Sequence, residues 1–184
     1  MNFHPTKLEG AFVVELEPRA DDRGFFARCF CEKEFDALGL PTRFPQCNLS
    51  RNRLRGTLRG MHFQAGVAPE AKLVRCTAGA IYDVIADLRE ASPTRFQWLG
   101  VELSAENGRA LFVPGGLAHG FITLEDDTDV FYHMSDFFRP DRARGFRWND
   151  PCLGIRWPLE PTVLSERDRG YADLDPDSPG EWRT

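Results

Sequence analysis

The sequence predicts an all-β domain, an antiparallel sandwich or barrel with a few short helices. The 184 residues include 16 Gly and 13 Pro, which favour turns over long helices. Short β-prone runs recur at close intervals between turn residues, as is typical of such folds. With 42% hydrophobic residues, the chain can bury a core without disulfides. The runs are Ala11–Glu17, Gly24–Phe30, Thr57–Gln64, Lys72–Thr77, Ala80–Leu88, Phe96–Ser104, Arg109–Val113, Gly120–Leu124 and Asp129–Phe138.

Turn residues indicate how the middle runs are connected. Asn107 and Gly108 lie between two runs and favour the positive φ angles of a tight hairpin turn. The acidic stretch 125–127 is placed to close the next hairpin. The middle of the chain is therefore predicted to form a meander.

One domain is expected over residues 1–172, followed by a loosely held tail over 173–184 that is rich in Pro, Asp and Gly. The best helix candidate is Glu32–Leu38. Acidic residues suit its first turn, and Gly39 is placed to act as its C-terminal cap. One or two helical turns are expected there.

Charge and cysteine content exclude several classes of partner. The chain carries 23 basic and 28 acidic residues, a net charge of −5, with the signs interspersed, which argues against a nucleic-acid surface. Five cysteines without a CxxC pair indicate reduced thiols. No signal-type apolar segment and no run of 18 apolar residues occurs. We therefore expect a cytoplasmic protein that binds neither nucleic acid nor membrane.

Two of the four histidines occupy unusual positions. His62 lies in a strand-like run whose period-2 alternation places it on one face with Gln64. His119 follows a turn that begins at Pro114, and the string Pro-x-Gly-x-x-His resembles the second motif of the cupin superfamily. That superfamily implies a double-stranded β-helix, or jelly-roll barrel.

The residue types argue against a metal site in such a barrel. Metal-binding cupins need two histidines separated by one residue in their first motif. Here the first position is His62, but the second is Gln64. His62 is then either a hydrogen-bonded core histidine or a general base. The role of general base is favoured by the nearby cations Arg59 and Lys72 and by the acidic stretch 164–168. A carboxylate from that stretch could bind the other ring nitrogen and fix the imidazole tautomer.

The strand-like run Asp129–Phe138 raises a similar choice. Tyr132 and Phe138 share one face and are either core residues or part of a site. His133 points to the opposite face and His4 lies near the N-terminus, so both are expected to be structural.

A set of ordered motifs makes the resemblance specific. The motifs are Asp21–Phe26, Gln46–Ser50, Gly56–Gln64, Lys72–Cys76, Leu103–Asn107, Pro114–Phe121 and Arg147–Pro151. Through these motifs, from about Asp21 to Asp168, the chain resembles the dTDP-4-dehydrorhamnose 3,5-epimerase family.

This resemblance implies a metal-free, cofactor-independent cupin-type enzyme of deoxysugar biosynthesis, usually a homodimer. Its substrate would be a nucleotide-linked 4-keto-6-deoxyhexose, carried by dTDP, and it would invert C3 and C5. By the same resemblance His62 is the base, Asp168 its carboxylate partner, Tyr132 the acid and Lys72 the cation near the 4-keto oxygen. The implied substrate-binding residues are Arg23, Phe26, Gln46, Asn48, Arg59, His119, Phe138 and Arg167.

Three positions depart from the family pattern and leave the nucleotide open. Arg28 stands where the family often has Glu, Phe138 where it has Tyr, and Ala143 where it often has an acid. Alternative functions are therefore a single-centre epimerase or an enzyme for another nucleotide sugar. Less favoured are a metal-dependent cupin oxygenase and a non-catalytic sugar-binding module.

Strict alternation also creates a geometric conflict. It places Arg59 on the face opposite His62, so the two can reach one pocket only if the strand is irregular at Gly60. We predict a bulge or twist there.

Overall fold

The computed structural model describes residues 1–66 and 70–176. Fourteen strands and two short helices are formed in this part of the chain. In chain order they are β1 (Asn2–Pro5), β2 (Phe12–Glu15), β3 (Arg19–Asp21), β4 (Gly24–Phe26), α1 (Glu32–Asp36), β5 (Gln46–Asn52), β6 (Thr57–Gln64), β7 (Lys72–Ala78), β8 (Ala80–Asp87), β9 (Trp98–Ser104), β10 (Ala110–Val113), β11 (Leu117–Thr123), β12 (Thr128–Met134), β13 (Ala143–Gly145), β14 (Val163–Leu164) and α2 (Glu166–Arg169).

The strands form two large sheets and one small hairpin. The first sheet has the order β1-β2-β10-β7-β12-β5. The second has the order β13-β6-β11-β8-β9, and β14 pairs with β6 in parallel. Strands β3 and β4 pair only with each other. The predicted all-β barrel or sandwich with few short helices is confirmed.

The predicted meander is wrong, because successive strands change sheet. The connections β7–β8, β9–β10 and β11–β12 each cross from one sheet to the other. The turn at Asn107 and Gly108 therefore joins two sheets and does not close a hairpin. Gly108 has a φ of +61° as a turn requires, but turn chemistry does not determine which sheet the next strand joins. This crossing pattern makes the fold a jelly roll.

Several element boundaries differ from the predictions. Strand β11 begins at Leu117 and so includes His119, while β12 ends at Met134 and leaves Phe138 in a loop. Helix α1 ends at Asp36, and the predicted cap Gly39 follows in a left-handed turn with a φ of +67°. No position had been predicted for helix α2. None of the helices in residues 1–66 and 70–176 has the length and apolar character needed to cross a membrane.

Three apolar clusters hold the sheets together. The first lies between the sheets and includes Val74 and Val130 from one and Ile81 and Ile85 from the other. The second lies on the outer face of the second sheet, where Met61 and Phe63 pack against Phe146, Leu153 and Leu174. The third lies on the outer face of the first sheet, where Leu73 and Phe112 pack against Phe35 of α1. Each chain end thus covers one sheet.

The expected C-terminal tail is anchored where it begins. Asp173 forms an ion pair with Arg147 at 2.6 Å, and Leu174 is buried in the second apolar cluster. The packed chain therefore extends beyond residue 172. Residues 177–184 of the expected tail lie outside the described residues.

A buried carboxylate fixes the loop after β8. Asp87 accepts hydrogen bonds from Arg89, and also from Ser92 at 2.6 Å and Thr94 at 2.7 Å. Burial opposes ionisation, but these donors outweigh it and lower the pKa of Asp87 to about 2. The ionised carboxylate therefore stabilises the folded loop.

We predict that Asp87→Asn lowers the free energy of unfolding by about 2 kcal/mol at pH 7. A depressed pKa adds stability above the ordinary value of 3.8, and this stability is lost as pH falls through about 2. In urea titrations, the gap between wild type and variant should therefore shrink below pH 4. The exposed Asp141→Asn serves as control, and a gap that stays constant down to pH 2 would contradict the assignment.

Candidate active site

A cavity of about 480 Å³ opens between the two sheets at one end of the barrel. A smaller one of about 150 Å³ shares His62, Lys72, Tyr132 and Arg167 with it and continues to Phe138. The larger cavity gathers seven of the residues named from the sequence: Arg59, His62, Lys72, His119, Tyr132, Arg167 and Asp168.

Strand alternation explains why these side chains meet. Lys72 lies on the same face of β7 as Val74, and Tyr132 lies on the same face of β12 as Val130. Both valines belong to the core between the sheets. On β11, His119 shares that face with Phe121. One part of the interior is thus filled with apolar side chains, whereas the other is lined by ionisable groups.

His62 contacts a buried carboxylate. Its Nε2 lies 2.6 Å from Oδ1 of Asp168. Asp168 belongs to α2, where its backbone N–H donates to the N-cap Ser165. Burial opposes ionisation of Asp168, but the hydrogen bond and charge of His62 outweigh it and hold the pKa of Asp168 below its usual range. With Nε2 bonded to this carboxylate, Nδ1 is left to accept a proton.

A second imidazole and carboxylate pair faces the first. His119 is paired with His62 in the register of β6 and β11. Its Nε2 lies 2.7 Å from Oδ1 of Asp83 on β8. Asp83 is fully buried, and this burial raises its pKa although His119 acts in the opposite direction. His119 is thereby held at the cavity wall.

Lys72 and Tyr132 provide a cation and a phenol. Nζ of Lys72 lies 2.6 Å from Oε1 of the buried Glu70. Burial raises the pKa of Tyr132, and the charge of Glu70 raises it further, while Arg59 lowers it. The phenol therefore stays protonated at neutral pH and can donate a proton.

The predicted irregularity at Gly60 is confirmed. The register between β6 and β11 shifts between His119 and Phe121, opposite Gly60. Gly60 has a φ of +140°, and a Cβ on it would lie 2.6 Å from Cα of Gly120. The shift brings Arg59 into the cavity with His62, where its Nε donates to Oδ1 of Asn52 at 2.8 Å.

Three further predicted residues lie around the smaller cavity. Phe138 lines it from the loop after β12, and its backbone N–H donates to Oε1 of Gln46 at 2.5 Å. Asn48, beside Tyr132 in the register of β5 and β12, donates to the sulfur of Met134. Gln46 and Asn48 line neither cavity, but they border the strand and loop that do.

Two predicted binding residues lie away from both cavities. Arg23 and Phe26 belong to the hairpin of β3 and β4. The side chain of Arg23 is 89% exposed, and Phe26 is 75% exposed. Arg28 is next to this hairpin and forms an ion pair with Glu34 at 3.6 Å. Within one chain, the structure does not bring Arg23 or Phe26 to the other site residues. Ala143, in contrast, lines the smaller cavity.

Sequence reasoning missed two acids of the site. Asp83 stands on the face of β8 that carries Ile81 and Ile85, and a charged residue between apolar ones was a usable signal. Glu70 precedes Lys72 by two residues, but nothing in that spacing shows that their side chains meet. In residues 1–66 and 70–176, no group of three or more His, Cys, Asp or Glu side chains is arranged to hold a metal ion.

His133 and His4 occupy the structural positions expected of them. His133 packs among Phe30, Phe44 and Phe131, and burial lowers its pKa. His4 lies on the exposed strand β1 beside Glu15. Neither lines the cavities.

A family model and a curated relative both match this chain over nearly its whole length. The family model described as dTDP-4-dehydrorhamnose 3,5-epimerase matches residues 5–175. The dTDP-4-dehydrorhamnose 3,5-epimerase of Pseudomonas aeruginosa is 46% identical over 177 residues, covering 92% of this chain and 97% of that protein.

Two solved structures show the same fold. A dTDP-6-deoxy-D-glucose-3,5-epimerase from Legionella pneumophila, in complex with dTDP-4-keto-L-rhamnose, has a TM-score of 0.92 at 36% identity and covers 99% of this chain and 97% of its own. A 3'-monoepimerase from Streptomyces bikiniensis, in complex with dTDP-quinovose, has a TM-score of 0.86 at 35% identity and covers 92% and 86%. These likenesses confirm the cupin-type jelly roll.

We predict that Gly120→Ala destabilises the protein through a clash at this site. A Cβ on Gly120 would lie 2.7 Å from Sδ of Met61 and 2.9 Å from the carbonyl oxygen of Arg59. Overpacking of this kind costs about 1–3 kcal/mol, measurable by urea unfolding. Gly120 is not among the glycines with a positive φ, so its loss of stability is due to the clash. Gly154→Ala, where φ is +56° and a Cβ meets nothing within 4 Å, measures the opposite case of backbone strain without a clash. A Gly120→Ala protein as stable as wild type would contradict the close approach of β6 and β11.

Proposed function

Because the chain belongs to the dTDP-4-dehydrorhamnose 3,5-epimerase family, we propose that its cavity inverts C3 and C5 of a dTDP-linked 4-keto-6-deoxyhexose by proton transfer. The observation that carries the mechanism is the His62–Asp168 pair, which shares one cavity with Lys72 and Tyr132. Each group supplies one requirement of the reaction.

The base removes a proton from carbon. A C–H bond next to a carbonyl is acidic enough for an imidazole to attack when the resulting enolate is stabilised. His62 accepts the proton, and Asp168, ionised because its pKa is held low, stabilises the imidazolium. Partial exposure of His62 supports return of this proton to water between the two inversions.

The cation stabilises the enolate oxygen. Carbons C3 and C5 both flank the C4 carbonyl, so the negative charge of either enolate develops on the same oxygen. One ammonium group at that oxygen, which we assign to Lys72, therefore serves both inversions.

The acid returns a proton on the opposite face of the ring. We assign this step to Tyr132, because burial raises the pKa of Tyr132 above an ordinary value near ~10 and keeps the phenol protonated. The phenolate formed in each inversion regains its proton from water before the next.

The remaining polar groups suit the nucleotide diphosphate. Arg59 and Arg167 line the larger cavity and are hydrogen-bonded to neutral partners, Asn52 and Tyr171. Because these partners do not offset the positive charge of the guanidinium groups, that charge is available to bind phosphate oxygens. Phe138 offers a ring for stacking on the thymine base. We place Gln46, Asn48 and His119 among the binding groups, where His119 faces the sugar and the other two position the Phe138 loop and Tyr132.

A single-centre epimerase is the second candidate function. The likeness to the Streptomyces bikiniensis 3'-monoepimerase supports it, because the same proton-transfer groups can act at one carbon or at two. The two activities differ in which carbon exchanges its proton with solvent.

We also propose a homodimer in which each copy completes the site of the other. Arg23, Phe25 and Phe26 project from the hairpin of β3 and β4, with Phe25 and Phe26 63% and 75% exposed. An exposed aromatic pair beside a cation is unusual on a free surface and typical of an interface. In this arrangement Arg23 and Phe26 bind the nucleotide held in the partner's cavity.

A cytoplasmic setting is the final part of the proposal. All five cysteines are free thiols, which supports a reducing compartment.

We predict that His62→Ala slows exchange of the C3 and C5 protons at least about 100-fold. The assay incubates enzyme and dTDP-4-keto-6-deoxyglucose in deuterated water and follows both carbons by NMR. Tyr132→Phe should allow exchange but impair inversion, since the base is intact and the opposite-face donor is lost. His4→Ala is the matched histidine control. Full activity of His62→Ala would refute the mechanism, and exchange at C3 alone in wild type would favour the single-centre reaction.

We further predict that two inactive variants complement each other. Arg23→Ala and His62→Ala proteins should each be impaired alone. After co-expression, half of the dimers are mixed and carry one intact site each, which restores about a quarter of wild-type sites. Recovered activity would show that Arg23 of one copy and His62 of the other act in the same site. A confirmed mixed dimer without recovered activity would contradict a role of Arg23 in the partner's site.

A further inference from the structure

A buried carboxylate stands behind the cation of the site. The side chain of Glu70 is 1% exposed and that of Lys72 is 11% exposed, and their charged atoms are 2.6 Å apart. Burying an ion pair costs more desolvation than an exposed pair and does not by itself favour folding. A carboxylate in this position therefore calls for an explanation other than stability.

The second oxygen of Glu70 is held by an amide. Gln64 donates from Nε2 to Oε2 of Glu70 at 2.6 Å. The carbonyl oxygen of the same amide accepts from the backbone N–H of Arg139 at 2.6 Å, and Nε2 also approaches the carbonyl oxygen of Phe137 at 3.3 Å. Gln64 thus links Glu70 to the loop on either side of Phe138.

Glu70 also belongs to the wall of the site. It lines the smaller cavity together with Gln64, Lys72, Tyr132 and Phe138. The chain of contacts therefore runs from the backbone of the loop that carries Phe138, through Gln64 and Glu70, to the ammonium group of Lys72.

We propose that Glu70 is a positioning residue, which fixes Lys72 at the sugar carbonyl and which Gln64 couples to the nucleotide-binding loop. The proposal rests on the proposed function. A lysine side chain has four flexible carbons and a compact charge, so its position has to be imposed by a partner. Displacing a catalytic group by about 1 Å can cost as much as ~100-fold in rate.

The charge of Glu70 also takes the place of water around the ammonium group. The side chain of Lys72 is only 11% exposed and has lost most of its hydration, and a carboxylate partner offsets that cost. The ammonium group is thus fixed at the cavity wall before substrate binds. A cation that is already in place where negative charge develops stabilises the transition state and raises kcat.

The test compares Glu70→Gln with Glu106→Gln, a matched change at an exposed position. Glutamine keeps the size of Glu70 and an oxygen for Lys72 but removes the charge. With dTDP-4-keto-6-deoxyglucose, we expect kcat of Glu70→Gln to fall about tenfold or more while KM changes less than about threefold. Glu70→Asp, which keeps the charge, should recover part of kcat. A Glu70→Gln enzyme with the kcat of Glu106→Gln would overturn the proposal.

A titration without substrate distinguishes this proposal from the proposed function. The chain has only 3 Tyr, so ultraviolet absorbance of phenolate follows Tyr132, which Tyr132→Phe identifies. Because the charge of Glu70 raises the pKa of Tyr132, Glu70→Gln should lower it and Glu106→Gln should not. If wild type fails to exchange the protons of any sugar nucleotide, the function fails while the titration still reports whether Glu70 acts on the site. An unchanged titration in a folded Glu70→Gln protein would overturn the placement of Glu70.

Discussion

The cost of burying charge inside the barrel determines how this site is built. An ionised side chain that leaves water needs a partner of opposite charge or a set of hydrogen bonds. Two pairs in the cavity follow this rule, the ionised Asp168 with His62 and Lys72 with Glu70, and His119 is held by Asp83 in a third contact at 2.7 Å. Each pair ties a side chain that faces the cavity to an acid in the wall. The acids therefore set the positions of the groups that face the ligand.

The pairs also explain why the chain ends matter to the site. Asp168 belongs to a helix of only four residues, which cannot be stable by itself. Its position depends on Ser165 at the N-cap and on the C-terminal segment that packs Leu153 and Leu174 against the outer face of the second sheet. The same apolar contacts that cover that sheet thus place the carboxylate of the base. Loosening the segment would weaken fold and chemistry together.

The sequence predicts much of this architecture, because alternation within a strand is a local property. It places His62 and Gln64 on one face of β6, and the conflict between Arg59 and His62 correctly located the irregularity at Gly60. Sheet membership is not local, and for this reason the predicted meander failed at Asn107 and Gly108. The pairing of Asp83 with His119 joins positions on neighbouring strands of one sheet, so it becomes visible only once those strands are known to be adjacent. The contact of Asp168 with His62 spans 106 positions. The residues alone indicated only that an acid of the stretch 164–168 could serve His62, and the choice of Asp168 came from the resemblance to the family.

The charge distribution, finally, separates two tasks that cations perform. The whole chain carries a net charge of −5, yet four cations line the larger cavity: Arg51, Arg59, Lys72 and Arg167. Arg51 is paired with Asp127 and Asp129 and Lys72 with Glu70, whereas Arg59 and Arg167 bond to neutral groups. A diphosphate is bound best by these two guanidinium groups, because no carboxylate partner among their hydrogen bonds offsets their charge. A developing oxyanion is served best by a compact ammonium group that a partner holds at one point, because catalysis requires a fixed position. Arginine for the diphosphate and a paired lysine for the enolate thus match two tasks: binding a permanent charge, and meeting a transient charge at a fixed position.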